Sequence, residues 1–192
     1  MGGLLWIFVS SMLVNNFTLV LFLGLCSFFG VTNKVSVALR LGLANLFVLI
    51  ITAASVSFLN AVVLAEAPYL RLISFIVVIA SLVQIVEMAI KKLSPTLFRE
   101  LGIYLPLITT NCAILALAIF QTNRSYSFVE GQVFALGSGA GLILALTLMA
   151  SVRERLQFST IPAVAKGTAL TLIIAGSLSL AFMGFAGLGS GG

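Results

Sequence analysis

The sequence predicts an all-α integral membrane protein of six transmembrane helices, arranged as two inverted three-helix repeats. Hydrophobic residues make up 61% of the 192 residues and charged residues 8%, whereas about a quarter of the residues in soluble proteins are charged. Six apolar stretches have about the 20 residues that a helix needs to cross the hydrocarbon core. Because the breaks between them are short, nothing in the chain resembles a soluble domain.

The six predicted helices form a single membrane domain over residues 1–187. Backbone groups in lipid must hydrogen-bond internally, so the apolar stretches are helices rather than open strands. The first repeat covers about residues 1–95 and the second about 96–187, and the Gly/Ser-rich tail at residues 188–192 is expected to be disordered. The predicted helices are Leu4–Phe29, Val37–Val63, Leu70–Ile90, Leu101–Phe120, Gly131–Val152 and Ala163–Phe185.

The basic residues predict the orientation. No Lys or Arg precedes Lys34, so the first helix lacks the basic region of a cleaved secretory signal and is expected to be retained. Eight of the ten basic residues lie in or beside the loops after helices one, three and five. Basic residues concentrate on the cytoplasmic side, so both termini are expected on the outer, periplasmic face. The net charge of +5 is therefore a topology signal and no sign of nucleic-acid binding.

Each half contains three helices, an odd number, so the second half is inverted in the membrane relative to the first. This is the geometry of an inverted repeat. The chain has two cysteines, Cys26 on helix one and Cys112 on helix four, which occupy matching positions. Gly24 and Gly30 flank the first cysteine, and Pro106 precedes the second by six residues. Interrupted apolar segments at matching places in two halves indicate a site near the membrane midplane.

The residue types limit the chemistry of that site. The chain has no histidine, which excludes bis-His haem, the usual zinc and copper sites and Ser-His-Asp catalysis. It also lacks the glycine-rich phosphate loop of ATP hydrolases. No residue is predicted to be catalytic, and the chain is not expected to be an enzyme by itself.

The two thiols permit two interpretations. A buried cysteine is commonly a small hydrophobic residue, whereas a thiolate in an apolar setting is costly unless a cation holds it. An iron–sulfur cluster takes four thiolates, so Cys26 and Cys112 supply half of a set. A partner protein with an equal pair would complete a shared [2Fe–2S] cluster.

Other polar residues have simpler explanations. Glu87 and Lys91 are four residues apart on helix three, a spacing typical of helical ion pairs. The small residues around Gly137–Gly141 predict close helix packing on helix five. Asparagine side chains at five positions can form hydrogen bonds between helices: Asn15, Asn16, Asn45, Asn60 and Asn111.

The motifs resemble those of the A subunits of Rnf electron-transport complexes and of the related E subunit of the sodium-translocating NADH:quinone reductase. The likeness covers nearly the whole chain. The longest matching run ends just after the second cysteine, and the matching segments are Val14–Phe17, Leu23–Cys26, Gly102–Ala113, Arg153–Leu156 and Ala181–Phe185.

This resemblance implies a subunit of a complex in the bacterial inner membrane that couples electron transfer between ferredoxin and NAD to Na⁺ or H⁺ transport. A paralogous E subunit in the opposite orientation would share a [2Fe–2S] cluster with this chain, with Cys26 and Cys112 as two of the four ligands. The cluster would pass electrons between the iron–sulfur B subunit and the flavin of the G subunit. The C and D subunits and membrane lipid would be further partners.

Two other classes of function stay open on the sequence. A small inverted-repeat secondary transporter would share the interrupted helices, but few charged residues are available to build its substrate site. A structural assembly subunit would carry the same cysteines as inert side chains.

Overall fold

The computed structural model describes residues 2–31, 34–62, 71–93, 107–108, 110–156 and 167–185. The regular secondary structure of these residues is entirely helical. Helix α1 spans Gly2–Val9 and continues as a π-helical turn over Ser10–Val14, and the later helices are α2 Leu25–Val31, α3 Val35–Val62, α4 Arg71–Leu93, α5 Cys112–Asn123, α6 Phe128–Leu156 and α7 Thr168–Met183.

Three of these helices contain spans long and apolar enough to cross a membrane: Val35–Asn60, Leu72–Ala89 and Phe128–Leu156. They confirm the apolar helices predicted second, third and fifth in the chain. Shorter apolar helices cover Gly3–Val14, Cys112–Asn123 and Thr168–Met183. Three predicted features lie outside the described residues. They are the start of helix four at Leu101, the start of helix six at Ala163 and the tail at residues 188–192.

The first predicted helix, Leu4–Phe29, is not one element. Helical structure ends at Val14 and resumes at Leu25, and the backbone between them takes positive φ angles at Phe22 (55°) and Gly24 (80°). A left-handed residue cannot continue a right-handed α-helix. The helix-weakening glycine noted in the sequence therefore marks a complete break rather than a kink.

Helix α6 lies at the centre of the bundle. In its most apolar window 61% of the residues are buried, against 17% for α4, which is peripheral. A Cβ on Gly137 would collide with Ser11 and the Phe8 backbone, and one on Gly141 would lie 2.8 Å from the Met12 carbonyl oxygen. These glycines let α1 and its π turn approach α6 closely, which confirms the predicted small-residue packing.

The N-terminus of α6 is fixed by a side-chain cap. The Ser127 backbone N–H and hydroxyl donate to Glu130 Oε2 at 2.9 and 3.0 Å. This is one half of a capping box, in which an acidic residue on the first turn reaches back to the residue before the helix. The turn from α5 is closed by backbone hydrogen bonds from the Tyr126 and Ser125 N–H groups to the carbonyls of Gln121 and Thr122, at 3.2 and 3.0 Å.

The close packing of α1 on α6 generates a stability prediction. Gly137→Ala is expected to lower the free energy of unfolding in detergent by about 1–3 kcal/mol, because the added methyl group overpacks the contact. Gly176→Ala on α7 is the matched control, since nothing lies within 4 Å of a Cβ built there. Unfolding would be followed by circular dichroism against denaturant, and equal stabilities for the two variants would refute the packing role of Gly137.

Candidate functional site

Cys112 is the first residue of α5, and Asn111 fixes its position. The Asn111 backbone is extended (ψ 112°), and its Oδ1 atom accepts a hydrogen bond from the Ala113 N–H at 3.0 Å. This is an N-cap, which satisfies a donor that the start of the helix would leave free. The Asn111 Nδ2 group also donates to Asn45 Oδ1 on α3 at 3.1 Å. The second cysteine is therefore held against α3 by a buried pair of amides.

Cys26 is the second residue of α2 and follows the break at residues 15–24. Asn16 organises this break. Its Oδ1 atom accepts from the backbone N–H groups of Thr18 and Leu19, at 3.0 and 3.4 Å. Its Nδ2 group donates to the carbonyls of Met12 and Gly141, at 3.1 and 2.9 Å. One buried amide thus replaces several helical hydrogen bonds and fastens the break to α6.

The two cysteine segments meet in the folded chain. The Gly24 backbone N–H donates to Cys112 Sγ, with a nitrogen–sulfur distance of 2.8 Å. A Cβ on Gly24 would lie 3.1 Å from Asn111 Oδ1. Position 24 therefore requires glycine for two reasons: its φ of 80° and its close approach to Asn111. The structure places Cys112 against the residue two positions before Cys26.

The two thiols differ in exposure. Cys26 is exposed and Cys112 is half-buried, and both are free cysteines. Cys112 is the first residue of a twelve-residue helix, so its sulfur lies at the N-terminal end of α5. Among the described residues, no group of three or more His, Cys, Asp or Glu side chains could hold a metal ion. Any metal at these thiols would need further ligands.

The other polar residues singled out in the sequence lie in several places. Asn15 donates to Ser10 Oγ at 3.2 Å, and Asn60 is exposed near the end of α3. Glu87 is half-buried on α4, at the periphery. The sequence did not indicate the roles of Gly24 as a donor to sulfur and of Gly141 as a carbonyl acceptor. No local pattern carries that information, because each contact joins segments more than eighty residues apart.

The Gly24 contact generates a reactivity prediction. With Cys26→Ser as background, Gly24→Ala is expected to lower the rate at which N-ethylmaleimide labels Cys112, because the strained, crowded residue moves its N–H away from the sulfur and the reacting thiolate loses a hydrogen-bond donor. Gly167→Ala is the matched control, since Gly167 also has a positive φ (94°) but nothing within 4 Å of its Cβ. Both variants should lose about 1–2 kcal/mol of stability. Equal labelling rates in the two would contradict the contact.

Comparison with known proteins places the chain in a family. Residues 4–189 match the family described as "Rnf-Nqr subunit, membrane protein". A protein of Syntrophotalea carbinolica is 52% identical over 190 residues, and proteins of Proteus mirabilis and Sodalis glossinidius are 48% and 45% identical, with 98% of both chains covered in each case. Each of these relatives is named as the A subunit of an ion-translocating oxidoreductase complex. The chain, with its paired cysteine segments, therefore belongs to the Rnf-Nqr family of membrane subunits.

Proposed function

We propose that this chain is a membrane component of an ion-translocating oxidoreductase complex and that Cys26 and Cys112 supply two of the four thiolate ligands of a [2Fe–2S] cluster. The observation that carries the proposal is the contact between the Gly24 N–H and Cys112 Sγ at 2.8 Å, which brings the two cysteine segments together. The names of the relatives support the complex. The paralogous E subunit of the complex would supply the other two thiolates.

The residues present fit half of such a site. Two free thiols stand on two short helices that start beside each other, and Cys26 is exposed, so a neighbouring protein can reach it. A [2Fe–2S] cluster takes four ligands, and this chain has two cysteines and no histidine. A paralogue that contributes two ligands at a shared interface would complete the set of four.

When bound, a cluster of this kind accepts and releases one electron. A bilayer core of about 30 Å is too thick for one efficient electron step, so a redox centre within it divides the distance. The chain's own groups would set the conditions there. The Gly24 N–H places positive charge against the Cys112 sulfur, and such hydrogen bonds and the apolar shell around a centre tune its potential.

The proposal includes the arrangement of the chain in the membrane. Six spans in two inverted repeats, with both termini on the outer face of the bacterial inner membrane, would let this chain pair with a paralogue of opposite orientation. Electrons would then pass between the B subunit on the cytoplasmic side and the G subunit on the outer side, with C and D completing the complex. The interrupted segments at Cys26 and Cys112 support this repeat.

Removing either thiol tests the cluster. Cys26→Ser and Cys112→Ser are each expected to abolish one [2Fe–2S] signal in the electron paramagnetic resonance spectrum of the reduced complex and to lower its iron and acid-labile sulfide. Ferredoxin–NAD turnover should fall to background. Ser81→Ala is the control, because its exposed hydroxyl donates to the Val77 carbonyl of its own helix, peripheral α4. Full signal and turnover in both cysteine variants would favour a structural assembly role, and cysteine-independent uptake by the isolated chain in liposomes would favour a transporter.

The orientation can be tested by labelling from one side. On a cysteine-free background, Lys91→Cys is expected to react with a membrane-impermeant maleimide only in inside-out vesicles, and Asn123→Cys only in right-side-out cells. Both positions are exposed at helix ends. The reverse pattern would place the termini in the cytoplasm and remove the support for the proposed pairing.

A further inference from the structure

A buried contact between two amides links α3 to the segment that carries Cys112. The Asn111 Nδ2 group donates to Asn45 Oδ1 at 3.1 Å, across 66 positions of sequence. Asn45 is fully buried and Asn111 is 5% exposed. Water therefore cannot replace this bond, and its loss would leave the Asn111 donor without a partner in an apolar setting.

The cap at the start of α5 fixes the direction of this contact. Asn111 Oδ1 accepts the Ala113 N–H at 3.0 Å, so the Nδ2 group is the end of the side chain that reaches α3. Asn45 must therefore present its oxygen. Its own Nδ2 group is buried and has no hydrogen-bond partner among the described residues. The contact thus uses Asn45 only as an acceptor.

Asn111 contacts both partners of the hydrogen bond to sulfur. Cys112 follows it directly in the chain. Gly24 packs against its side chain, since a Cβ on Gly24 would lie 3.1 Å from Asn111 Oδ1. The Gly24 N–H then donates to Cys112 Sγ at 2.8 Å. A shift of Asn111 would therefore alter the distance between this N–H and the sulfur.

The first break contains a similar contact with a different acceptor. Asn16 Nδ2 donates to the Gly141 carbonyl on α6 at 2.9 Å. That acceptor belongs to the backbone, so no side-chain substitution removes it. At the second break the acceptor is the side chain of Asn45, which can be changed while the backbone of α3 is left intact.

Helix α3 is a firm support for this acceptor. Gly42 and Leu46, on either side of Asn45 in the chain, both face α6. A Cβ on Gly42 would lie 2.8 Å from Ile143 Cγ1, and a Cβ on Gly139 would collide with Leu46. Because α3 and α6 pack this closely, Asn45 has little freedom to follow a displaced Asn111.

We propose that Asn45 is a positioning residue for the redox centre: by holding Asn111, it keeps Cys112 Sγ against the Gly24 N–H and so raises the reduction potential of the cluster that this sulfur would ligate. The inference rests on the proposed function. Reduction adds negative charge to a cluster, and an N–H donor stabilises that charge on sulfur. Hydrogen bonds to the sulfurs are accordingly among the factors that set the potential.

Removing the acceptor tests this role. In the purified complex, the [2Fe–2S] signal that Cys112→Ser abolishes is followed by electron paramagnetic resonance during a redox titration. Asn45→Leu has nearly the same size but no acceptor. It is expected to lower the midpoint potential by about 59 mV, a tenfold change in the equilibrium constant for one-electron reduction.

Two further variants test whether Asn45 acts through Asn111. Asn111→Ser keeps a side-chain cap on α5 but is too short to reach α3, so it should lower the midpoint as well. The double variant should shift it no further than the larger single shift, because residues in contact are not additive. Asn45→Asp restores an acceptor oxygen, and a carboxyl buried away from water stays protonated, so its midpoint should match the unsubstituted complex.

Gln121→Leu and Thr52→Val are the matched controls. Gln121 is a second buried amide on α5, and it bonds the Ala53 carbonyl and Ser57 Oγ of α3 at 3.1 and 2.8 Å. Its loss removes the same kind of contact between the same two helices, away from the thiols. Thr52 is buried on α3, and its Oγ1 atom has no partner among the described residues. Both variants should keep the unsubstituted midpoint.

The outcomes separate this inference from the proposed function. A full [2Fe–2S] signal with an unchanged midpoint in Asn45→Leu and Asn111→Ser would overturn the inference and leave the cluster in place. An equal shift in Gln121→Leu would also overturn it, since the effect would then be one of bundle stability. If Asn45→Leu does not assemble, the midpoint of Asn111→Ser decides. Absence of any signal that depends on Cys112 would refute the proposed function and the inference together.

Discussion

The structure depends on one constraint: a chain in lipid must hydrogen-bond every backbone polar group internally. The helices of this chain are nevertheless interrupted beside its only two thiols. Two asparagine side chains resolve this conflict. Asn16 bonds two N–H groups and two carbonyls at the first break. Asn111 caps α5 at the second and binds Asn45. Each amide replaces local hydrogen bonds with bonds to a neighbouring helix, so the breaks are also the points at which the bundle is fastened together.

Close packing around α6 makes these polar contacts possible. A hydrophobic driving force between helices is absent in lipid, so association relies on fit and on hydrogen bonds. The glycines at 137 and 141 admit α1 and its π turn so closely that the Gly141 carbonyl comes within 2.9 Å of the Asn16 amide. A larger residue at either position would displace the first break, and with it the Gly24 N–H that meets the Cys112 sulfur.

The thiols and the Gln121 amide lie at opposite ends of α5, and α3 runs beside both, with Asn45 near one and Ser57 at the other. A change of charge at the Cys112 sulfur would act first on the Gly24 N–H that donates to it, and next on the neighbouring Asn111–Asn45 pair. Because Asn45 lies on α3, such a change would reach that helix directly.

The sequence by itself determined the helical membrane class, the apolar helices around residues 37–63, 70–90 and 131–152, and the two cysteines as the candidate ligands. These follow from hydropathy and from the absence of histidine, which can be read without knowing which segments contact each other. Only the tertiary structure decided that the first helix is two helices, that Gly24 lies against Cys112, and that the Gln121 amide binds Ala53 and Ser57 on α3. Each of these depends on a contact between segments more than sixty residues apart, and no local pattern of residue types specifies such a contact.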